Sequence, residues 1–226
     1  MNDSDKNLFI NFPWKIYKDY PNWVPPLKFD IKNNLNPDKN PFFQHSKVEL
    51  YLAEVDGKLA GRIGAIINDN HNKFYNDKVG FFGFFECINN KQVSRALFDK
   101  AYKFLKDNGM DTVRGPVNPS TNDECGLLID AFDSPPVLLM TYNPPYYIDL
   151  IEDYGFTKAK DLYAMYIPKE VIKNDAKMSQ LERISNMVKK RENITLRNVN
   201  LKDFDNEVQR IRDIYNNAWE DNWGFV

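Results

Sequence analysis

The run VGFFGFFECI, residues 79–88, constrains this chain more than any other stretch of it. It is far shorter than the roughly 18 apolar residues that span a bilayer. It is also too apolar to face water on either side, so it predicts a strand buried on both faces of a sheet. Gly80 and Gly83 inside the run signal a bulge or the close approach of another backbone. Just upstream, VELYLAEVDGKLAGRIGAIINDN alternates apolar and polar positions around Asp56-Gly57, a strong hairpin signal. Two antiparallel strands, about 47–55 and 58–68, are expected there.

After Lys91 the apolar period lengthens. Val93, Leu97, Ala101, Phe104 and Leu105 share one helical face, Asn89 with Gln92 offers a capping-box-like start, and Asn108-Gly109 offers a stop. DTVRGPV and VLLMTY follow as short strands, residues 147–154 as a helix ending at Gly155, and AKDLYAMYIP as a closing strand. The opening segment mixes aromatics at helical spacing with Pro13, Pro21, Pro25, Pro26, Pro37 and Pro41, and predicts two short helices wrapped over the sheet. Residues 1–170 thus read as a mixed α/β unit whose mainly antiparallel sheet is flanked by helices.

Residues 171–192 carry Met178, Leu181, Ile184, Met187 and Val188 at helical spacing and read as a helical connector. ITLRNV and the face Phe204, Val208, Ile211, Tyr215, Trp219 then suggest the opening strand and helix of a second unit over 193–226. A short echo supports this: Ile16-Tyr17 then Asn22-Trp23 near the start, Ile214-Tyr215 then Asn222-Trp223 near the end. At 226 residues and roughly 150 per domain, the length fits one unit and part of another.

With 30 Lys+Arg against 32 Asp+Glu there is no basic excess for general nucleic-acid binding or for an anionic membrane. Cys87 and Cys125 form neither a CxxC pair nor a disulfide framework, and His45 and His71 complete no zinc motif. The polar start MNDSDKNLF lacks secretory character, so a reducing, cytoplasmic setting is expected.

The order of elements, with TYNPPYYIDLIEDYGFTKAKDLYAMYIP, resembles the GNAT superfamily of acetyl-CoA-dependent N-acyltransferases. Asn143 and the pair Gly155-Phe156 match the family's Asn near its fourth helix and the Gly-Phe before its closing strand. The stretch from NWVPPL through NPFF, GRIGAI, GFFGFFE, RGPVNPSTNDECG and YNPPYY is similar to a bacterial GNAT-like group in which a second acyltransferase half follows the first. The resemblance implies transfer of an acetyl or other acyl group from acyl-CoA to a small-molecule or peptide amine. Glu86 would be the general base and Tyr147 a substitute general acid. It further implies cofactor contacts from Cys87, Ile88, Asn89, Lys91, Gln92, Val93 and Asn143, with the thioester arm entering a gap beside GFFGFFECI.

Two departures stand beside it. The family's glycine-rich pyrophosphate loop is replaced by INNKQVSRAL, and Ile151 stands where its catalytic tyrosine is usual. A non-catalytic scaffold or ligand-sensing lobe is the competing expectation. A peptide-transferring relative using aminoacyl-tRNA is disfavoured by the charge balance.

Bland readings accompany each candidate. Glu86 can be a paired strand-end carboxylate, with Arg62 or Arg114 as partner. Thr121 with Glu124 fits a cap on a short helix at CGLLI. His71 fits an exposed turn, the Phe81, Phe82, Phe84, Phe85 set fits core, and Tyr146-Tyr147 fits helix-start packing. An apolar face on the last helix would suit packing on the first lobe or on a second copy.

Overall fold

The computed structural model describes residues 2–172 and 175–224. They divide into two units, one running to Lys160 and rejoined by the segment from Asn222, the other Asp161–Asp221.

The first unit opens with helices α1 (Asp3–Asn11), α2 (Pro13–Ile16) and α3 (Lys28–Asn34), one more than expected. Strands β1 (Ser46–Val55) and β2 (Lys58–Asn68) are joined by Asp56 and Gly57, both in the left-handed region at φ 50° and 71°, as a two-residue hairpin requires. Helix α4 (Asp69–Tyr75) leads into β3 (Val79–Cys87), antiparallel to β2. Helix α5 (Lys91–Asp107) then carries the chain across to β4 (Thr112–Arg114), parallel to β3. A parallel return of this kind needs such a crossover. The sheet order is β1-β2-β3-β4, and a second ribbon pairs β5 (Val117–Asn118) with β6 (Glu124–Cys125). Helix α6 (Tyr147–Tyr154) ends at Gly155, whose φ of 111° supplies the left-handed C-cap.

This is a mixed α/β fold with a mainly antiparallel sheet between helices, the class the sequence predicts. Every residue of β3 is buried. Its two faces feed two cores: Phe82, Phe85 and Cys87 pack toward α5 and α6, while Val79, Phe81 and Phe84 pack with Phe9, Ile10 and Leu35 of the opening segment. The skip from Phe82 to Phe85, and from Phe81 to Phe84, marks a bulge. The register against β2 shifts between Arg62 and Gly64, and Phe84 takes a positive φ of 51°. Strict alternation would put Glu86 on the face of Phe82. The extra residue turns it to the face of Phe9.

Both glycines of β3 are close approaches. A Cβ on Gly80 would meet the Leu105 side chain, and one on Gly83 would overlap the Val117 carbonyl. The strand therefore admits β5 at a distance that no larger residue allows.

Several expectations are corrected. VLLMTY forms no strand: Val137, Leu138 and Leu139 are exposed and part of a turn. AKDLYAMYIP and ITLRNV are also irregular, with no ladder partner among the described residues to satisfy their backbones. CGLLI is not helical, because Glu124 and Cys125 pair with Asn118 and Val117 instead. His71 lies in α4 rather than in an exposed turn, buried between Tyr75 and Phe81 with its Nε2 3.5 Å from Asp77 Oδ2.

The second unit contains helices α7 (Lys169–Ile172), α8 (Asp175–Arg191) and α9 (Phe204–Trp219). The predicted helical connector is α8, and the predicted last helix is α9. The proposed opening strand of a second domain is not formed. Glu207 is buried there by Arg197, at 2.8 Å, and Arg210.

Candidate active site

Glu86, next to last in β3, stands directly opposite Arg62 of β2, so one cross-strand pair brings a carboxylate and a guanidinium together. Arg62 NH2 lies 3.5 Å from Glu86 Oε1, and the residues are 6% and 9% exposed. Arg62 also donates to the Phe9 carbonyl at 2.7 Å and stacks over the Phe9 ring at 4.8 Å. Its Nε has no hydrogen-bond partner among the described residues.

The other Glu86 oxygen, Oε2, accepts from the Tyr147 hydroxyl at 2.7 Å. Tyr147 in turn accepts from the Cys87 main-chain N–H at 2.9 Å, and the Tyr146 hydroxyl donates to the Cys87 carbonyl at 2.8 Å. Tyr-Tyr at the start of α6 thereby clamps the last residue of β3. The Tyr17 hydroxyl donates to the Tyr142 carbonyl at 3.1 Å and also bears on Glu86.

Burial raises Glu86 above the ordinary carboxylate range; Arg62 and the Tyr147 and Tyr17 hydroxyls oppose that rise. Burial, and then the Glu86 carboxylate, push the Tyr147 and Tyr17 phenols well up, so both stay protonated as donors. Burial pushes the Cys87 thiol up to about 12, which leaves it inert as a nucleophile. Cys125 is raised as well. Arg62 is lowered by burial, with Glu86 the largest opposing influence.

The two sequence-predicted catalytic residues, Glu86 and Tyr147, are therefore in direct contact. The predicted cofactor residues fare differently. The start of α5 is capped by Asn90, not by Asn89: Asn90 Oδ1 accepts from Gln92 N at 2.9 Å and Val93 N at 3.3 Å. Lys91 and Arg95 both engage Asp153, at 2.7 and 2.9 Å. Ile88 N donates to Ala60 O in the sheet. Asn143, expected at the cofactor, is turned onto Leu128, accepting from its N–H at 2.7 Å and donating to its carbonyl at 3.2 Å. A coenzyme pyrophosphate does not fit this helix start as arranged: two of its amides, both cations and the Cys87 main chain already have partners.

Tyr17, read from the sequence only as part of an internal echo, and Glu124, read as a helix cap, are brought to this site by the fold. Glu124 is held in place across the β5–β6 ribbon by Asn118, which also accepts from Phe84 N at 2.5 Å. Desolvation raises its carboxyl too, and it adds to the rise of Glu86. Among the described residues no group of three His, Cys, Asp or Glu could hold a metal ion, and no helix is long and apolar enough to cross a membrane.

The chain matches no protein-family model. It is 37% identical over 227 residues to Protein YghO of Escherichia coli strain K12, covering all of this chain and 56% of that protein. It is 36% identical over 221 residues to the bacterial ceramide synthase of Caulobacter vibrioides, covering 96% of this chain and 56% of that protein. Among solved structures, an aminoglycoside acetyltransferase from an uncultured soil metagenomic sample, bound to sisomicin, aligns with a TM-score of 0.43 and 12% identity over 74% of this chain and 90% of its own. The chain thus spans about half the length of the curated relatives it matches, with which it shares more than a third of its residues.

Proposed function

We propose that this chain is part of an acyltransferase that joins an acyl group to an amine, with Glu86 as the general base. One observation carries the reading: a buried carboxylate with a raised pKa stands at a strand end, aimed by a bulge and gripped by Tyr147 and Arg62. The name of the Caulobacter relative adds support, since a ceramide is the N-acyl product of a long-chain amino alcohol. In this reading Glu86 takes a proton from the incoming amine and frees its lone pair for the acyl carbonyl. Tyr147 holds the carboxylate in place and is the group nearest at hand to return a proton to a leaving thiolate. Acyl-CoA is the donor in this proposal, and no contact to its pyrophosphate is assigned to the capped start of α5.

That capped start favours a second reading, a scaffold or ligand-sensing lobe. Asn90, Asp153 and the two tyrosines occupy the groups that would otherwise read a thioester arm and its phosphates. Calorimetry with acetyl-CoA separates the two. Binding in the micromolar to millimolar range, with amide formation on addition of a primary amine, supports the transferase; absence of heat supports the scaffold.

A further inference from the structure

Asn222, Trp223 and Gly224 follow α9 in the chain but belong to the first unit. Three elements of that unit hold them. The Tyr75 hydroxyl, at the end of α4, donates to the Asn222 carbonyl at 3.3 Å. Arg114 is the last residue of β4 and the second arginine that the sequence offers to Glu86; it lies instead over the Trp223 ring, at 4.9 Å. The Thr121 hydroxyl, in the turn between β5 and β6, donates to the Gly224 carbonyl. Gly224 is buried at φ 78°, and a Cβ on it would press on the Thr121 side chain at 3.1 Å, so backbone and space both require glycine there.

These grips fall on the two ends of one ribbon. Arg114 leads into β5, and Thr121 forms part of the turn that follows it. The same ribbon meets the bulge of β3: Asn118 accepts from Phe84 N, the Val117 carbonyl lies against Gly83, and Phe84 carries the positive φ that turns Glu86 toward Phe9. Two strands of two residues each are weakly held by their own ladder, so the ribbon depends on contacts from outside it. We propose that Trp223 and Gly224 are positioning residues, a clip that pins the β5–β6 ribbon against β3 and so fixes the bulge that aims Glu86.

Amide hydrogen exchange of the full chain tests the clip, with carbon-13 NMR of the Glu86 carboxyl as a second readout. The amides to follow are Phe84 N, bonded to Asn118, and Gly126 N, bonded to the Pro116 carbonyl at 2.8 Å. Trp223→Ala speeds their exchange about tenfold or more and leaves the amides of the β1–β2 ladder unchanged. Gly224→Ala does the same without touching the ring. Trp223→Phe, which keeps a ring face for Arg114, restores most of the protection. In Trp223→Ala and Gly224→Ala water reaches the carboxyl, and Glu86 titrates closer to the ordinary 4.5 than in the native chain. Equal acceleration of ribbon and hairpin amides, acceleration of neither, or an unmoved Glu86 titration overturns the proposal. Neither readout uses turnover. A native chain without turnover defeats the reading of Glu86 as base and leaves the clip standing; native-like exchange in Trp223→Ala defeats the clip and leaves that reading standing.

Discussion

Tyr147 donates its hydroxyl proton to Glu86 Oε2 at 2.7 Å while accepting the Cys87 N–H at 2.9 Å. One phenol thus satisfies a carboxylate and an otherwise orphaned strand-edge amide, fixing the carboxyl relative to the end of β3.

Tyr147→Phe removes both bonds and leaves the buried Cys87 amide unpaired. A loss of about 1 to 3 kcal/mol in unfolding free energy is expected by denaturant titration. Because the Tyr147 hydroxyl lowers the Glu86 pKa, the acid limb of any pH–rate profile moves to higher pH in this variant.

Arg62→Met leaves Glu86 buried opposite an uncharged residue. The expected cost is about 3 to 5 kcal/mol, and Arg62→Met with Glu86→Gln recovers most of it. A double-mutant cycle that is additive within about 0.5 kcal/mol contradicts this coupling.

The raised pKa of Glu86 sets a sign for stability against pH. Above the ordinary value of 4.5 an unfolded chain releases this proton while the folded chain still holds it, so the group's contribution is full below 4.5 and is lost as pH rises through the folded value. Thermal melts at pH 4 to 8 therefore show a smaller decline for Glu86→Gln than for the native chain over that window.

Asn90→Ala strips the cap from α5 and exposes the Gln92 and Val93 amides. Stability falls by about 1 kcal/mol. The freed amides gain affinity for inorganic phosphate, read by calorimetry, since an uncapped helix start attracts anions.

The hairpin, the buried β3 and the crossover helix were legible because period and turn residues act locally: Asp56-Gly57 dictates its turn and the Val93 to Leu105 face dictates α5. Glu86 and Tyr147 were legible through the family resemblance. Tyr17 was not, because its neighbours Tyr142 and Glu86 are distant in sequence and no spacing links them. Nor was the direction of Glu86, which depends on where within β3 the bulge falls. The expected strands at 137–142 and 159–168 failed for a related reason. Alternating apolar residues state a preference for a sheet, but a strand forms only where a second backbone supplies its ladder.

General-base catalysis by Glu86 is tested by following amide formation from acetyl-CoA and a primary amine, comparing the native chain with Glu86→Gln. Turnover is measurable in the native chain, rises with pH through a midpoint above 4.5 and falls about 100-fold or more in the variant, whose circular dichroism is unchanged. Turnover that survives the substitution, or no turnover at all in a native chain, contradicts it.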